Sequence, residues 1–472
     1  MLDGRRNNGY PTPMRAWVSG TLDLDLSTVP AATVEALKQR LTLTQTGYNQ
    51  STQVPFFVES PGWLHLPRGF WFCDSEGLLR DVEVLDNRSD GHPLPTNARA
   101  RVEFGAPPFP PGQPQFIATA HAAALSSGHG GMLEAPTRSG KTLCAAEIAC
   151  RLGGSTLILG DNVELLGQWQ DEIQEHIGLP CGIIREDRFD YGPQWPFVVA
   201  TVQTLARRAL PEEVRRSWRT LIIDECNSAP CATIWGAVQR IYARYVFGLT
   251  ATPDRSDGLG EAISWVVGPT IAKLARTMTA DAQFLHIPWR ACKIPREGRD
   301  GKMRNYKPVL RRNGVTSWVA AEQSIMQDEQ RLTLLADEVL KGLRGGRKPL
   351  VMVGIVEHGE RWAEALRARG MDVGCLMGKA KRSEGAKEAV VATYRKAGRA
   401  MTIMPPATLF VPAGPVRDIR QAVGRSLQPQ ATHRTLILDP VDLEPSLVKW
   451  ARCREQFYAG RGFTLRNRVR AA

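Results

Sequence analysis

The residues with types and spacing suited to chemistry begin at Ala135-Pro136-Thr137-Arg138-Ser139-Gly140-Lys141-Thr142. The run fits the pattern A/G-x-x-x-x-G-K-S/T. In such a loop backbone N–H groups wrap phosphates, and the N-terminus of the following helix adds partial positive charge. Lys141 is placed to neutralise the β- and γ-phosphates of a nucleotide, and the Thr142 hydroxyl to bind Mg2+. A plain loop at a helix start would look similar; the strand–loop–helix context is what favours phosphate. Downstream, the apolar run Leu221-Ile222-Ile223 ends in Asp224-Glu225. A buried strand that delivers acids at its carboxyl end puts them where open α/β sheets bind ligands. Adjacent carboxylates repel, so a cation between them and the phosphates makes chemical sense. Asp224 would then hold Mg2+ through water and Glu225 would polarise the attacking water. An acidic pair at a helix start is common, and only its place after the phosphate loop gives this one weight.

The elements that must position these groups follow from the apolar pattern. Buried-type strands are expected at Thr156–Leu159, Phe197–Ala200, Leu221–Ile223 and Val246–Leu249, with a helix at Thr142–Leu152 whose Leu143, Ala146, Ile148 and Ala149 share a broad face. Strand–helix alternation argues for a parallel sheet. The rhythm breaks from about Arg276 to Glu329 and resumes with strands at Leu350–Val353, Val373–Leu376, Val390–Thr393, Leu409–Val411 and Leu436–Leu438. Before it all lies a block to about Gly105 with runs such as Val54–Val58 and Gly69–Phe72, which read as short strands and turns, then a proline cluster from Pro107 to Pro114. The expected division is a strand-rich accessory domain at 1–105, a first lobe at 106–275, a linker with a basic insertion at 276–330, and a second lobe with a basic tail at 331–472.

Composition sets the outer bounds. The chain has 472 residues, too many for one ordinary core, with 43% hydrophobic and 23% charged residues. No apolar run approaches a membrane span, and the start MLDGRRNNGY lacks the apolar stretch of a secretory signal. These features suggest a cytosolic protein with no membrane partner. Nine cysteines, none in a CxxC pair, read as free thiols, buried or half-buried. The net charge of +12 attracts polyanions, nucleic acid among them. A merely basic soluble protein has the same balance.

The order of the motifs resembles superfamily 2 helicases, in the XPB-like and UvsW-like group with its phage and bacterial relatives. Gln115 precedes the loop as the family's adenine-side glutamine does. Ala135–Thr142 resembles motif I, Leu157–Trp169 motif Ia, Ala200–Leu205 the next strand-end motif, Asp224–Asn227 motif II and Gly248–Arg255 motif III. Further on, Leu350–His358 resembles motif IV, Ala392-Thr393-Tyr394 opens a motif V region, and Gln421–Arg425 matches the start of motif VI. The resemblance spans roughly Gln113 to Asp442, and Leu66–Gly69 and Asp86-Asn87-Arg88 look like the front end of phage-type members. It implies two RecA-like lobes in tandem, with ATP and Mg2+ as cofactors. Pro136, Thr137, Arg138, Ser139 and Gly140 would line the phosphates, and Arg425 with Gln421 would act from the second lobe, the arginine as a finger on the transferring phosphoryl group. Thr250 and Thr252 would couple nucleotide state to lobe movement, and Thr201, Gln203, Arg255 and Thr393 would touch nucleic acid. The implied activity is an ATP-dependent DNA helicase or translocase on single-stranded, duplex or branched DNA, with RNA as an alternative track. A bacterial or phage-infected cytosol would be its setting, and nuclease or replication and recombination proteins its partners.

Departures from the family pattern keep two other readings open. Arg138 stands where motif I has glycine, Asn227 where motif II has histidine, Arg399-Ala400-Met401-Thr402 where motif V reads EGLD, and Gln428 where motif VI has a second arginine. A nucleotide-gated clamp with weak motor output is one alternative, and a motor subunit of a restriction or defence assembly the other. Trp17, Trp63 and Trp71 could stack on bases or fill a core. Lys293, Arg296, Arg299, Lys302, Arg304, Lys307, Arg311 and Arg312 could grip phosphates or form a solvated insertion. The tail arginines Arg461, Arg466, Arg468 and Arg470 admit the same two readings. His358 lacks a visible metal partner and reads as structural.

Overall fold

Leu22 and Leu24 alternate with acids, and Leu64 and Leu66 with Trp63 and His65, the period of strands with one buried face. A computed structural model of the chain shows the sheet this pattern builds. It describes all residues except 1–12, 47–50, 107–108, 137–138, 162, 187, 252–254, 256, 275–279, 298–299, 309, 313–314, 379, 381, 398–406, 417–418, 420–422, 424–433 and 469–472. The first block contains β1 (Met14–Val18), β2 (Thr21–Asp25), helix α1 (Ala31–Arg40), the hairpin β3 (Thr42–Thr46) and β4 (Ser51–Pro55), then β5 (Val58–Ser60), β6 (Trp63–Pro67) and β7 (Val82–Asp86). Five of the strands form a sheet in the order β5-β6-β2-β1-β7, antiparallel except where β1 meets β7. Ala16, Val18, Leu22, Leu24, Leu64 and Leu66 are buried on one face. Trp17 and Trp63 lie on the other, edge to face with centroids 5.0 Å apart, and Trp71 packs on Phe72 at 5.3 Å.

The alternating block folds as expected, a parallel α/β layer. Its elements are α2 (Gln113–Ser127), β8 (Gly130–Glu134), α3 (Lys141–Leu152), β9 (Thr156–Gly160), α4 (Val163–His176), β10 (Cys181–Arg185), β11 (Arg188–Phe189), β12 (Phe197–Thr201), α5 (Val202–Arg207), α6 (Glu212–Arg216), β13 (Thr220–Asp224), α7 (Ala232–Val238), β14 (Tyr245–Thr250), α8 (Gly260–Val267) and β15 (Thr270–Lys273). The sheet order is β11-β10-β12-β9-β13-β14-β8-β15, and every pair but β10–β11 is parallel. Its inner strands are apolar almost end to end because both faces are covered. Leu157, Leu159, Leu221 and Ile223 fill one core, Ile158 and Ile222 the other. The loop after β8 and the acids after β13 therefore emerge at one edge, the carboxyl ends of the strands.

The first block packs on this layer through a 3-10 turn at Arg68–Phe72 and helix α8. Arg68 is 1% exposed and donates to the carbonyls of Ser19 at 2.8 Å and Ala243 at 2.6 Å. Gly69 lies so close to α8 that a Cβ there would meet the Trp265 carbonyl at 2.6 Å. Trp265 is fully buried between Phe56 and Phe70, at 5.7 and 6.0 Å, with the Arg40 guanidinium over its ring at 5.1 Å. The Leu-Pro-Arg-Gly run of the sequence is thus a docking joint. Both layers lie in one compact unit, Met1–Ala275.

The second unit, Arg276–Ala472, starts inside the stretch whose lost rhythm suggested a linker. Residues 280–287 instead form β16 (Ala280–Ile287), a strand of the second sheet. Two short hairpins follow, β17 (Ile294–Glu297) with β18 (Met303–Tyr306) and β19 (Arg311–Arg312) with β20 (Val315–Thr316). Then come α9 (Trp318–Met326), α10 (Glu329–Arg344), β21 (Pro349–Val353), α11 (Val356–Arg367), β22 (Val373–Leu376), β23 (Ala389–Thr393), α12 (Tyr394–Ala397), β24 (Leu409–Pro412), β25 (Thr435–Asp442), α13 (Pro445–Gly460) and β26 (Thr464–Arg468). The sheet order is β22-β23-β21-β24-β25-β16-β26, parallel throughout. Polar Asp281 and Gln283 hide β16 from a search for continuous apolar runs, yet Ala280, Ala282 and Phe284 alternate into the core. His358 is buried, bonded to Glu322 at 2.8 Å and to the Trp362 indole at 3.2 Å. Among the described residues no helix is long and apolar enough to cross a membrane, and no cluster of side chains could hold a metal by His, Cys, Asp or Glu in a group of three. All nine cysteines are free, and Cys231 is exposed, against the expectation of burial.

Trp265→Ala empties the joint between the two layers of the first unit. It should cost about 3–5 kcal/mol in denaturant unfolding, with the accessory sheet and the parallel layer both losing stability. A loss below about 1 kcal/mol would contradict this packing.

Candidate active site

The loop after β8 is held by its own side chains before any ligand arrives. Ser139 is buried and its hydroxyl donates to the Pro136 carbonyl at 2.7 Å. The Ala135 amide donates to the carbonyl of Thr250 at the end of β14, at 3.0 Å. Gly140 begins α3 at φ +71°, the left-handed region, and a Cβ there would meet Gln113 Nε2 at 2.6 Å. No side chain caps α3, so its first-turn amides remain suited to an anion. Lys141 and Thr142 are the first two residues of that helix, both half-buried.

A different glutamine from the one expected reaches the loop. Gln113 is fully buried, donates to the Ser139 carbonyl at 2.6 Å and accepts from the Gly105 amide at 3.4 Å. Gln115 is exposed and bonds Thr119, one turn along, at 3.2 Å. Two residues apart on a helix point about 200° from each other, so only one of the pair can face the loop. Burial at the first turn of α2 selects Gln113, and the phenylalanine at 116 with Ile117 and Ala120 marks that buried face in the sequence.

The acids meet the lysine directly. Lys141 Nζ donates to Glu225 Oε1 at 2.8 Å and lies 3.8 Å from Asp224 Oδ1. The other Asp224 oxygen accepts from the Trp169 indole at 2.9 Å, and Asp224 Oδ1 accepts from the Glu225 amide at 2.9 Å. Glu225 sits at φ +51°, a strained conformation for a residue with a Cβ, and its Oε2 is buried without a partner. Burial works against the Lys141 ammonium, but Glu225 and Asp224 outweigh it and leave the lysine pKa raised. Burial raises the Asp224 carboxyl above the usual range, against the pull of Lys141. Glu172 on α4, one turn beyond Trp169, is pushed up to about 7, first by burial and then by the charge of Asp224. Two carboxylates thus face one ammonium. The excess of negative charge, supplied by hard oxygens, is what a divalent cation would neutralise. Trp169 and Glu172 were not among the residues the sequence singled out as site residues. The indole was visible only as part of an apolar motif, and its bond to Asp224 crosses 55 residues of chain.

The remaining expected residues are placed as follows. Thr250 is buried at the end of β14. Thr201 ends β12, its hydroxyl bonded to that of Thr204 at 2.7 Å. Gln203 is exposed and donates to the Asp161 carbonyl at 3.5 Å. Arg255 pairs with Asp257 at 2.5 and 2.9 Å and also donates to the Asn227 carbonyl, so its charge is already answered inside the protein. Thr393, in the second unit, ends β23, and its hydroxyl accepts from the Lys396 amide at 3.3 Å. Asn227 follows the acids with its Oδ1 buried and unpartnered. Thr137, Arg138, Thr252, Gln421 and Arg425 lie outside the described residues, as do 399–402 and Gln428.

The Glu172 carboxyl has a pH signature. It binds its proton more tightly in the folded chain, about 7, than at its ordinary 4.5. Its contribution to stability is therefore present below about pH 4.5 and is lost as pH rises through 7. Glu172→Gln should stabilise the nucleotide-free protein by about 1–3 kcal/mol at pH 8 and by much less at pH 5. Equal melting-temperature shifts at both pH values would contradict the assignment.

The chain is similar to known proteins over the stretch that carries these residues. The sequence model of the family described as Type III restriction enzyme, res subunit, matches residues 108–255. The chain is 27% identical to a putative ATP-dependent RNA helicase of Acanthamoeba polyphaga mimivirus, over 48% of this chain and 41% of that one. It is 26% identical to a putative helicase of Frog virus 3, over 79% and 82%. It is 30% identical to the DNA 3'-5' translocase XPB2 of Sulfurisphaera tokodaii, over 41% and 40%. The chain thus spans under half the length of the first and third of these relatives. The matched stretch 108–255 contains the loop at 135–142 and the acids at 224–225, and the relatives that the chain resembles are named as helicases and a DNA translocase.

Proposed function

We propose that this protein is a nucleic-acid-dependent ATPase that works as a DNA helicase or translocase. The observation that carries the reading is the Lys141–Glu225–Asp224 cluster beside the Gly140 loop, at the carboxyl edge of a parallel sheet. Lys141 is paired with Glu225. A nucleotide triphosphate would draw the ammonium onto its phosphates and release the carboxylate to orient a water. Gly140 and the first turn of α3 would cradle the phosphate oxygens with backbone amides. Gln113 would hold the loop in shape through Ser139.

The donor set fits Mg2+. Asp224 and Thr142 offer hard oxygens, and the buried, unpartnered Glu225 Oε2 supports a cation at the acidic side of the site. When bound, such an ion supplies charge neutralisation at the β- and γ-phosphates. Trp169 fixes which Asp224 oxygen faces the ligand. The relatives named for an RNA helicase and for a DNA translocase support a nucleic-acid track, and the net charge of +12 suits one. We assign DNA as the track from the XPB-like relatives.

Steady-state ATP hydrolysis with single-stranded, duplex and forked DNA and with RNA tests the proposal. One DNA substrate should stimulate turnover strongly. Lys141→Ala should lower kcat by about 10²-fold or more, and Glu225→Gln by about 10²–10⁴-fold with ATP binding retained. Stimulation by RNA alone would change the track. ATP-modulated DNA binding with neither turnover nor strand displacement would replace the motor with a clamp.

A further inference from the structure

The basic stretch that the motifs leave unused contains the β17–β18 hairpin, and its pairing is unusual for a free surface. Ile294 faces Tyr306, Pro295 faces Asn305, Arg296 faces Arg304 and Glu297 faces Met303. Successive side chains alternate between the two faces of a strand. Arg296, Arg304 and Tyr306 therefore share one face with Ile294, and Glu297 points from the other. Like charges directly opposed across two strands destabilise the pair, and an isolated two-stranded hairpin has little stability to spare. Asp300 answers one of the two guanidiniums, bonding Arg304 at 2.6 and 3.1 Å. Among the described residues Arg296 bonds only the neutral Gln323 Oε1 of α9, at 3.4 Å. Lys293, Lys302 and Lys307 flank the hairpin and are exposed. Tyr306 is 42% exposed and Met303 64%. A core residue or a merely solvated loop has no use for an exposed aromatic ring beside two opposed arginines.

We propose that this hairpin is a contact for single-stranded nucleic acid outside the helicase motifs, with a backbone phosphate between Arg296 and Arg304 and a base stacked on Tyr306. The inference rests on the nucleic-acid reading above. A phosphate between the guanidiniums turns their repulsion into charge-assisted hydrogen bonds with matching planar geometry. Tyr306 lies two residues from Arg304, about 7 Å along the strand, so a base attached to the held phosphate comes within reach of the ring. Stacking of this kind needs an unstacked base, which selects a single strand over a duplex, and every base offers a face, so no sequence is preferred.

The test is fluorescence anisotropy of the full chain, without nucleotide, with a labelled oligothymidylate and with a blunt duplex of equal length over a salt series. Tyr306→Ala should weaken single-strand binding by about five-fold or more, with Tyr306→Phe near wild type. Arg296→Ala should lower the slope of log affinity against log salt by about 0.7, and Arg296→Lys should restore it. Duplex binding should change less than two-fold with Tyr306→Ala. The ATPase rate without nucleic acid should be unchanged in all four variants, since none touches the ATP site, and Arg296→Ala, which removes the like-charge pair, should not lower the melting temperature. Wild-type binding with unchanged affinity and salt slope in the variants would overturn the hairpin contact and leave the helicase reading standing. An equal loss on the duplex would overturn the single-strand assignment. Failure of the wild type to bind either probe would overturn both proposals.

Discussion

A buried ammonium and a buried carboxylate each cost several kcal/mol to take out of water, and the site of this protein depends on how Lys141, Asp224 and Glu225 offset one another. The lysine is fixed in place because α3 begins at Gly140, and Gly140 can begin it only because it tolerates a left-handed φ and leaves room for Gln113. The acids are fixed because β13 ends at Asp224 beside β9 and β14, with Trp169 holding one carboxylate oxygen from α4. The balance is incomplete. One Glu225 oxygen has no partner, and Glu172 adds a third carboxyl whose proton is held to about pH 7. The proposed metal–nucleotide complex would answer both signs of charge, its cation facing the acids and its anion the lysine.

The same economy of buried polar groups joins the accessory sheet to the first parallel layer. Arg68 is held by main-chain carbonyls, while burial and then the nearby Arg88 charge hold its pKa down to about 9. Asp86 and Asp90 reach Arg244 across the same seam, at 3.1 and 2.6 Å. The accessory sheet is therefore anchored to the layer that carries the phosphate loop. Its exposed face, with Trp17 and Trp63 packed on each other and Asp23 and His65 in a bonded pair at 2.7 Å, is not basic in the way the hairpin of the second unit is. Shape and charge separate the two candidate surfaces.

Much of the fold was legible because parallel strands buried on both faces must be apolar almost throughout. Ile158, Val199 and Ile222 announce their strands in this way, and the observed limits differ from the expected ones by a residue or a few at most, except β25, which runs on through Pro440 to Asp442. β16 was not legible, since one of its faces carries Asp281 and Gln283. Within the site, loop and acids were legible because phosphate and metal chemistry restrict the residue types. Gln113, which bonds the loop, was not singled out because a motif gives an order of residues but not a helix phase. Trp169 and Glu172 were missed because indole and carboxyl reach Asp224 through the packing of α4, which no local pattern encodes. Arg255 was expected to touch nucleic acid; in the structure Asp257, two residues on, pairs with it.

The central claim is that the acidic excess around Lys141 waits for a divalent cation arriving with the nucleotide. Isothermal titration of the wild-type protein with a non-hydrolysable ATP analogue, in Mg2+ and in excess chelator, tests it most directly. The account predicts affinity at least about ten-fold weaker without Mg2+, a difference of about 1.4 kcal/mol, and a much smaller difference in Asp224→Asn. Equal affinity in both buffers for the wild type would contradict it.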